Sequence, residues 1–152
     1  MQEDSDVQRI PHKDFQVVVF IRGLHGTTPL MRDELRSNRY WALPSDRSST
    51  EETPPDTALR ILREQVGISL SKDDLQLTSA EPQEDLNRHV YLVHTNLTIE
   101  DGYGENSGWL MQRQMFHIAD LEYMCDFLPT HLDILAAHQL ISAPRCRKKH
   151  EC

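Results

Sequence analysis

Acidic side chains gather in and just before one predicted helix, and they are the residues of this sequence best suited to chemistry. Glu64 follows Arg60 by four residues on the helix, and Glu52 and Asp46 lie in the loop that leads into it. Residues three or four apart share one face of a helix, and hard divalent cations prefer carboxylate oxygens as ligands. A cation held here would neutralise a small phosphorylated molecule. The acidic residues that could converge near the helix are Glu51, Glu52, Asp56, Glu64, Glu81, Glu84, Asp85 and Glu105.

The helix that carries Glu64 is predicted to span Asp56 to Val66. Its apolar positions recur with helical spacing, at Leu59, Leu62 and Val66. Thr53 can cap the first turn, and Pro54 and Pro55 suit that turn because they need no amide donor there. Gly67 stands where a helix commonly ends in a left-handed conformation.

Strands and a second helix flank this segment. Phe15–Arg22 is a continuous apolar run with β-branched and aromatic residues, which predicts a strand buried on both faces. Pro29–Arg32 predicts an edge-like strand, and the Gly-rich segment Asp101–Gly108 predicts a loop. The remaining predicted elements are strands at Leu75–Ala80, His89–Leu97 and Trp109–Ile118 and an amphipathic helix at Thr130–Ile141.

The length and composition predict one globular domain with two tails. The chain has 152 residues, of which 38% are hydrophobic and 26% are charged, and such values are typical of a single folded core. No repeat or low-complexity tract divides it. We expect an N-terminal tail at 1–14, one domain at 15–142 and a basic C-terminal tail at 143–152.

The charge and the cysteine content limit the classes of partner that this protein can bind and indicate its cellular compartment. A net charge of −8 disfavours extended nucleic acid, whose binding depends on Lys and Arg. No apolar stretch is long enough to span a membrane, and the acidic start does not resemble a signal peptide. The three cysteines form no disulfide framework or paired metal site. These features predict a reducing intracellular compartment, the cytoplasm.

The segment Trp41–Ile68 resembles the Nudix superfamily. That family carries G-x5-E-x7-R-E-U-x-E-E-x-G-U, where U is aliphatic, usually preceded by W-x-L-P-G. This sequence matches the pattern without a gap at Trp41, Leu43, Pro44, Glu52, Arg60, Leu62, Glu64, Gly67 and Ile68. Three positions depart from it, since Ser45-Asp46 replaces Gly-Gly and Ile61 and Gln65 replace two helix glutamates. The resemblance covers roughly residues 15 to 141.

The resemblance implies an α/β fold, an α/β/α sandwich with a mixed β-sheet between helices. In the family, the helix carboxylates hold Mg²⁺ or Mn²⁺ against a pyrophosphate, and the arginine orients them. The implied catalytic residues are Glu64, Arg60 and Glu52, and the implied metal ligands are Glu64, Glu105 and Asp46. Alternatively, Arg60 makes an ordinary surface pair with Glu64 or Asp56, and Glu105 is solvated. A homodimer is also implied, because dimers are common in the family.

Three hypotheses of function follow. The first is a Nudix-fold protein that binds a nucleoside-diphosphate-type ligand and whose hydrolytic activity is weak or lost. Ile61 and Gln65 remove two charges that would hold the cation, and with them the candidate base. The alternative is an active Mg²⁺- or Mn²⁺-dependent pyrophosphohydrolase that cleaves a phosphoanhydride of a nucleoside diphosphate derivative. The third is an unrelated α/β domain whose loop and helix mimic the motif.

Other candidate sites need groups that the sequence does not supply. His131 and His138 lie seven residues apart on the second predicted helix, but zinc would need a third ligand. Cys146, His150 and Cys152 in the basic tail would need an outside ligand for zinc. The aromatic residues that could stack on a base, or instead belong to the core, are Trp41, Tyr91, Tyr103, Trp109 and Phe116.

Overall fold

The structure, a computed structural model, describes residues 15–33, 40–49, 51–82 and 87–142. The strands are β1 (Phe15–Arg22), β2 (Thr27–Arg32), β3 (Ser45–Arg47), β4 (Leu75–Pro82), β5 (Asn87–His94), β6 (Gly102–Asn106) and β7 (Trp109–His117). The α-helices are α1 (Pro54–Ile61), which continues into a wide π turn at Leu62–Val66, and α2 (Pro129–Ala137). Short 3₁₀ turns lie at Leu24–Gly26, Lys72–Asp74 and Ile118–Tyr123. The predicted tails lie outside the described residues.

The strands form two sheets. The four-stranded sheet has the order β3-β1-β5-β4 and is mixed, because β1 runs parallel to β5 while the other neighbours are antiparallel. The second sheet is antiparallel, with the order β2-β7-β6. The edge position of β2 agrees with the edge-like strand that its proline predicted.

Alternate residues of β1 pack on opposite faces of the four-stranded sheet. On one face, Val17, Val19 and Ile21 belong to the cluster that contains the apolar side of α1. On the other face, Val18 and Phe20 belong to the cluster that contains α2 and a residue of β2. All five side chains are 0% exposed, and burial of each aliphatic or aromatic side chain contributes about 1.5–3 kcal/mol. The predicted doubly buried strand and the α/β/α sandwich are confirmed.

The predicted signals at both ends of α1 are present. The Thr53 hydroxyl accepts from the Asp56 amide and the Asp56 carboxylate accepts from the Thr53 amide, at 3.4 and 3.1 Å, so the two residues form a capping box. At the other end, Gly67 has a φ of 86° and its amide donates to the Leu62 carbonyl at 2.8 Å. Glycine adopts a left-handed backbone conformation at little cost in free energy. The helix therefore ends at Gly67.

The prediction of a loop at Asp101–Gly108 was wrong for most of this segment. Gly102–Asn106 is strand β6, paired with β7 from Asn106–Trp109 to Gly102–Arg113. Only Ser107 and Gly108 form the turn, with φ values of 53° and 91° that suit a tight hairpin. Glycines in a strand interior weaken it, but they also mark places where another backbone approaches closely, as the backbone of Gln65 does at Gly104.

Helix α2 ends four residues before the predicted end. Gln139 adopts a left-handed φ of 59°, and the Leu140 amide donates to the Leu135 carbonyl at 2.8 Å. This pairing closes the helix in the manner of a Schellman motif, with Gln139 where glycine is usual. No helix among the described residues is long and apolar enough to cross a membrane.

The bonding state of Cys125 differs from the prediction. Cys125 is disulfide-bonded, whereas the sequence predicted no disulfide framework. The predicted zinc candidates Cys146, His150 and Cys152 lie outside the described residues.

Candidate functional site

Arg60, on the last turn of α1, lies at the centre of a network of carboxylates. Its Nε and Nη2 donate to the two carboxylate oxygens of Glu52 at 2.8 and 3.1 Å, and its Nη1 donates to Asp46 Oδ2 at 2.8 Å. Nη2 also donates to the Arg47 carbonyl at 3.0 Å. The hydrogen bond with Glu52 is the main reason that the pKa of Arg60 rises above its ordinary value. These contacts tie α1 to β3 and to the loop between them.

Glu52 is fixed by donors from both sides. Besides Arg60, its carboxylate accepts from the Thr57 hydroxyl at 2.7 Å and from the Ser49 amide at 3.1 Å. Burial opposes ionisation, but the hydrogen bonds from Arg60, Thr57 and Ser49 outweigh it and lower the pKa of Glu52 to about 2. Glu52 is therefore ionised at neutral pH and holds Arg60 in place, so it acts as a positioning residue.

Asp46 connects this network to the β6–β7 hairpin. Its Oδ2 accepts from Arg60 and from the Ser107 hydroxyl at 3.1 Å, and its Oδ1 accepts from the Arg47 amide at 2.7 Å. With its amide nitrogen turned toward Asp46, Asn106 donates to both oxygens at 2.9 and 3.1 Å. These donors occupy both oxygens, so the predicted role of Asp46 as a metal ligand has no support in this geometry.

Glu64 carries the most accessible carboxylate beside Arg60. The distance from its Oε1 to Arg60 Nη1 is 3.6 Å, and its side chain is 38% exposed, compared with 18% for Glu52 and 12% for Asp46. An ion pair of this length at partial exposure contributes at most about 0.5 kcal/mol. Glu64 thus lies near the Arg60 charge and is more exposed to solvent than Glu52 or Asp46.

Ile61 and Gln65, which replace two family glutamates, are parts of the core. Ile61 is 1% exposed and belongs to the cluster between α1 and the four-stranded sheet. Gln65 is also 1% exposed, and its amide nitrogen donates to the Ser45 carbonyl at 2.9 Å. A carboxylate at position 65 would have no proton for that carbonyl, and one at position 61 would be a charge among apolar side chains.

The backbone of Gln65 contacts β6 directly. A Cβ on Gly104 would overlap the Gln65 backbone, with its Cα at 2.7 Å, so only glycine fits there. Arg113 of β7 donates Nη1 to the carbonyls of Gln65 and Tyr103 at 2.8 and 2.9 Å, and Nε to the Glu100 carbonyl at 2.8 Å. Arg113 therefore joins the end of the helix to the second sheet, a role that the sequence did not suggest.

The described residues do not form the carboxylate site that Mg²⁺ or Mn²⁺ would need here. Within the described ranges, no three His, Cys, Asp or Glu side chains are arranged to hold a metal ion. Glu105 is exposed on β6, and strand alternation places it on the opposite face from Gly104 and Asn106, which contact Gln65 and Asp46. The structure does not bring Glu105 together with Glu64.

Among the described residues, the wider set of acidic candidates also forms no group that could hold a metal ion. Asp56 caps α1 and pairs with Lys72 at 3.2 Å, and Glu51 is exposed with a φ of 72°. Glu81 lies on β4, at the sheet edge opposite to β3. Glu84 and Asp85 lie outside the described residues.

A cavity of about 250 Å³ lies beside the Arg60 network. Asn106, which donates to Asp46, also lines this cavity. Its other lining residues are Met31, Asp33, Tyr40, Ala42, Trp109, Met111 and Leu128. Aromatic and thioether walls with a few polar groups are typical of pockets for small planar ligands.

Of the aromatic residues named from the sequence, Trp109 alone lines this cavity, and it is 47% exposed. Trp41 is 4% exposed and packs edge-on against Phe116 at a centroid distance of 5.0 Å, so both belong to the core. Tyr91 is also buried, and Tyr103 is exposed on the face of β6 away from Gly104.

His131 has a structural role in place of the zinc role considered from the sequence. It is 3% exposed, and its Nδ1 accepts a hydrogen bond from the Leu43 amide at 3.0 Å. Burial, assisted by the charge of Arg88, lowers the pKa of His131 to about 4. The neutral imidazole therefore anchors α2 to the segment before β3.

Of the comparisons with known proteins, the one with solved structures identifies the fold. No family model matches the sequence, and no curated protein sequence matches it. Solved structures do match. A MutT protein from a study of Aliivibrio salmonicida and Vibrio cholerae is 17% identical with a TM-score of 0.64, over 83% of this chain and 96% of that one. MutT of Methanosarcina mazei Go1 is 14% identical with a TM-score of 0.65, over 85% and 94% of the two chains.

The Nudix domain of Shewanella oneidensis NrtR, solved as a complex with ADP-ribose, is 14% identical with a TM-score of 0.63. It covers 85% of this chain and 89% of that one. Such low identities are informative about the arrangement of the backbone and not about the chemistry of the site. The chain has the fold of MutT and other Nudix proteins, as the resemblance in its sequence predicted.

Proposed function

We propose that this protein binds a nucleoside-diphosphate-type ligand and that its hydrolytic activity is weak or lost. The observation that carries the proposal is the burial of Ile61 and Gln65, each 1% exposed, at two positions where the family has helix glutamates. Without those charges, a divalent cation loses two ligands, and the site loses the candidate base that would activate water. Glu64 is the remaining candidate catalytic residue, and Arg60 and Glu52 position it.

The cavity beside Asn106 is the proposed binding site for the base of the ligand. Trp109 and Tyr40 offer aromatic surface, and Asn106 offers an amide that can pair with polar edges of a heteroaromatic ring. The structural match to a Nudix domain complexed with ADP-ribose supports a ligand of this class. Base stacking on an aromatic side chain contributes about 1–3 kcal/mol.

Calorimetric titration with ADP-ribose and with ADP tests this proposal. The Trp109→Leu variant is expected to bind at least about fivefold more weakly than the wild type. Leu110→Ala is the matched control, because Leu110 is 57% exposed and follows Trp109 on the alternate face of β7. Equal affinity of wild type and Trp109→Leu, or no binding by the wild type, would overturn the assignment.

Residual hydrolysis is the second candidate function, and the position of Glu64 favours it. The carboxylate is oriented by Arg60 and is accessible, which is what an active Mg²⁺- or Mn²⁺-dependent pyrophosphohydrolase requires of one ligand. The other required carboxylates are missing among the described residues. Turnover that needs both a divalent cation and Glu64 would establish this alternative.

Assembly and location remain predictions. Sedimentation velocity tests the homodimer that the resemblance implied.

The reducing cytoplasm predicted from the cysteines is tested by alkylating thiols during cell lysis. Recovery of all three cysteines in the alkylated form fits that compartment, whereas the disulfide at Cys125 predicts fewer.

A further inference from the structure

A second and larger cavity, of about 630 Å³, lies at the other end of β1 from the Arg60 network. Val17, near the start of the strand, pairs with Asp46, whereas Arg22, at its end, lines the cavity. Five residues of extended strand separate the two points by roughly 16 Å. The cavity is therefore distinct from the proposed site for the base.

The register of the parallel strands explains why the cavity is polar. Val18 and Phe20 of β1 pair with Val90 and Leu92 of β5, and all four are in the core between the sheet and α2. The next residues on that face are polar, because Arg22 pairs with His94 and both line the cavity. The carboxyl ends of adjacent parallel strands are a common place for ligands.

Arg22 has unused hydrogen-bonding capacity in this position. Its Nε is buried and has no hydrogen-bond partner among the described residues. The guanidinium lies 5.9 Å from the centroid of the Phe20 ring, which limits the directions in which it can turn. An anion in the cavity would pair with the positive charge of Arg22 and accept hydrogen bonds from its guanidinium.

The other walls add donors and no negative charge. His25 and His117 line the cavity, as do Asn96, Gly23 and Gly26. His25 is held at a φ of 61°, a left-handed conformation that is strained for this residue type and is often found at functional sites. None of the described residues that line the cavity is Asp or Glu.

We propose that this cavity binds a small anion of the phosphate type, such as the phosphoryl group of a small metabolite. A metal ion is the less suitable occupant, since no three His, Cys, Asp or Glu side chains in the described part of the chain are arranged to hold one. Arg22 supplies the fixed charge, and the imidazoles of His25, His94 and His117 supply donors around it.

Nuclear magnetic resonance of the imidazole nitrogens tests the site with inorganic phosphate as the probe. We expect phosphate to shift the His25, His94 and His117 signals of the wild type in a saturable way. In Arg22→Gln the apparent affinity is expected to fall at least tenfold. Arg63→Gln, at an exposed position on the π turn after α1, is the matched control and is expected to bind as the wild type does.

A second variant keeps the proposal falsifiable if Arg22→Gln does not fold. Glycine accepts the backbone conformation of His25, so His25→Gly is expected to fold and to bind phosphate several-fold more weakly. The proposal is overturned if phosphate leaves the three imidazole signals of the wild type unchanged, or if it shifts them equally in the wild type and Arg22→Gln. Neither result bears on ADP-ribose binding at Trp109, so the two proposals fail separately.

Discussion

Gln65 donates its side-chain amide to the carbonyl oxygen of Ser45 across 2.9 Å, with its side chain 1% exposed. This hydrogen bond joins the end of the helix to the start of β3. The side chain at position 65 is a structural contact. A neutral amide at this position is therefore part of the packing of this protein.

Replacing Gln65 by glutamate should destabilise the fold rather than restore a metal site. The carboxylate would face the Ser45 carbonyl without a proton to donate, while buried from water. We expect a loss of at least about 2 kcal/mol in the free energy of unfolding at pH 7, measured by urea denaturation. Arg63→Gln, at an exposed position, should change it by less than about 0.5 kcal/mol. An unchanged Gln65→Glu stability would show that the site can accept the charge.

Gly104→Ala should separate β6 from the turn after α1. Its added methyl group would overlap the Gln65 backbone, which cannot swing away as a side chain does. We expect a cost of about 1–3 kcal/mol and a lower thermal midpoint by calorimetry. Gly23→Ala is the control, since its nearest neighbours are at 3.4 Å and its φ of −97° suits alanine. Equal stability of the two variants would contradict the close packing.

The Glu52–Arg60 pair should make stability depend on pH in the acid range. The pKa of Glu52 is about 2 in the fold and about 4.5 ordinarily, so the folded protein binds fewer protons than the unfolded chain. The stabilisation is complete above pH 4.5 and is lost as the pH falls toward 2. We expect Glu52→Gln to cost about 1–2 kcal/mol at pH 7, after allowance for solvent screening, and much less near pH 2.5. A cost that does not vary with pH would refute the assignment.

His131 should add a second pH dependence at higher pH. Burial lowers the pKa of His131 to about 4, whereas an unfolded histidine titrates near 6.5. Stability is therefore complete above pH 6.5 and is lost progressively between pH 6.5 and 4, by up to about 3 kcal/mol. His131→Gln, which does not titrate, should be less stable at pH 7 and lack this loss between pH 6.5 and 4. If wild type and variant respond to pH alike in that range, another group is responsible.

The sequence predicted correctly those helices and strands that are marked by residues within or beside them. The capping residues Thr53 and Gly67 lie beside the helix that they delimit, and the apolar run of β1 reflects burial on both faces. The network around Asp46 was not predictable in the same way, because Asn106 and Ser107 are about sixty residues away in the chain. A separation of about forty residues hid the contact between Gly104 and Gln65, because the glycines around position 104 predicted a loop.

For the site residues too, roles that depend on contacts between distant parts of the chain could not be predicted. The resemblance predicted that Arg60 orients carboxylates of the helix, whereas the structure pairs Arg60 with Glu52 of the preceding loop at 2.8 Å and with Glu64 of the helix at 3.6 Å. The environment of Ile61 depends on how α1 packs on the sheet, which no residue near it in the sequence specifies. The exposed face of Glu105 depends on the register of β6 with β7.

A turnover assay tests the central claim most directly. The purified protein would be incubated with ADP-ribose or nucleoside triphosphates in Mg²⁺ or Mn²⁺, and the products separated by chromatography, with Glu64→Gln and the exposed-site control Asp73→Asn in parallel. We predict saturable ligand binding with product release close to the uncatalysed rate in all three proteins. Metal-dependent turnover that is lost in Glu64→Gln and kept in Asp73→Asn would contradict the account and show a working hydrolase.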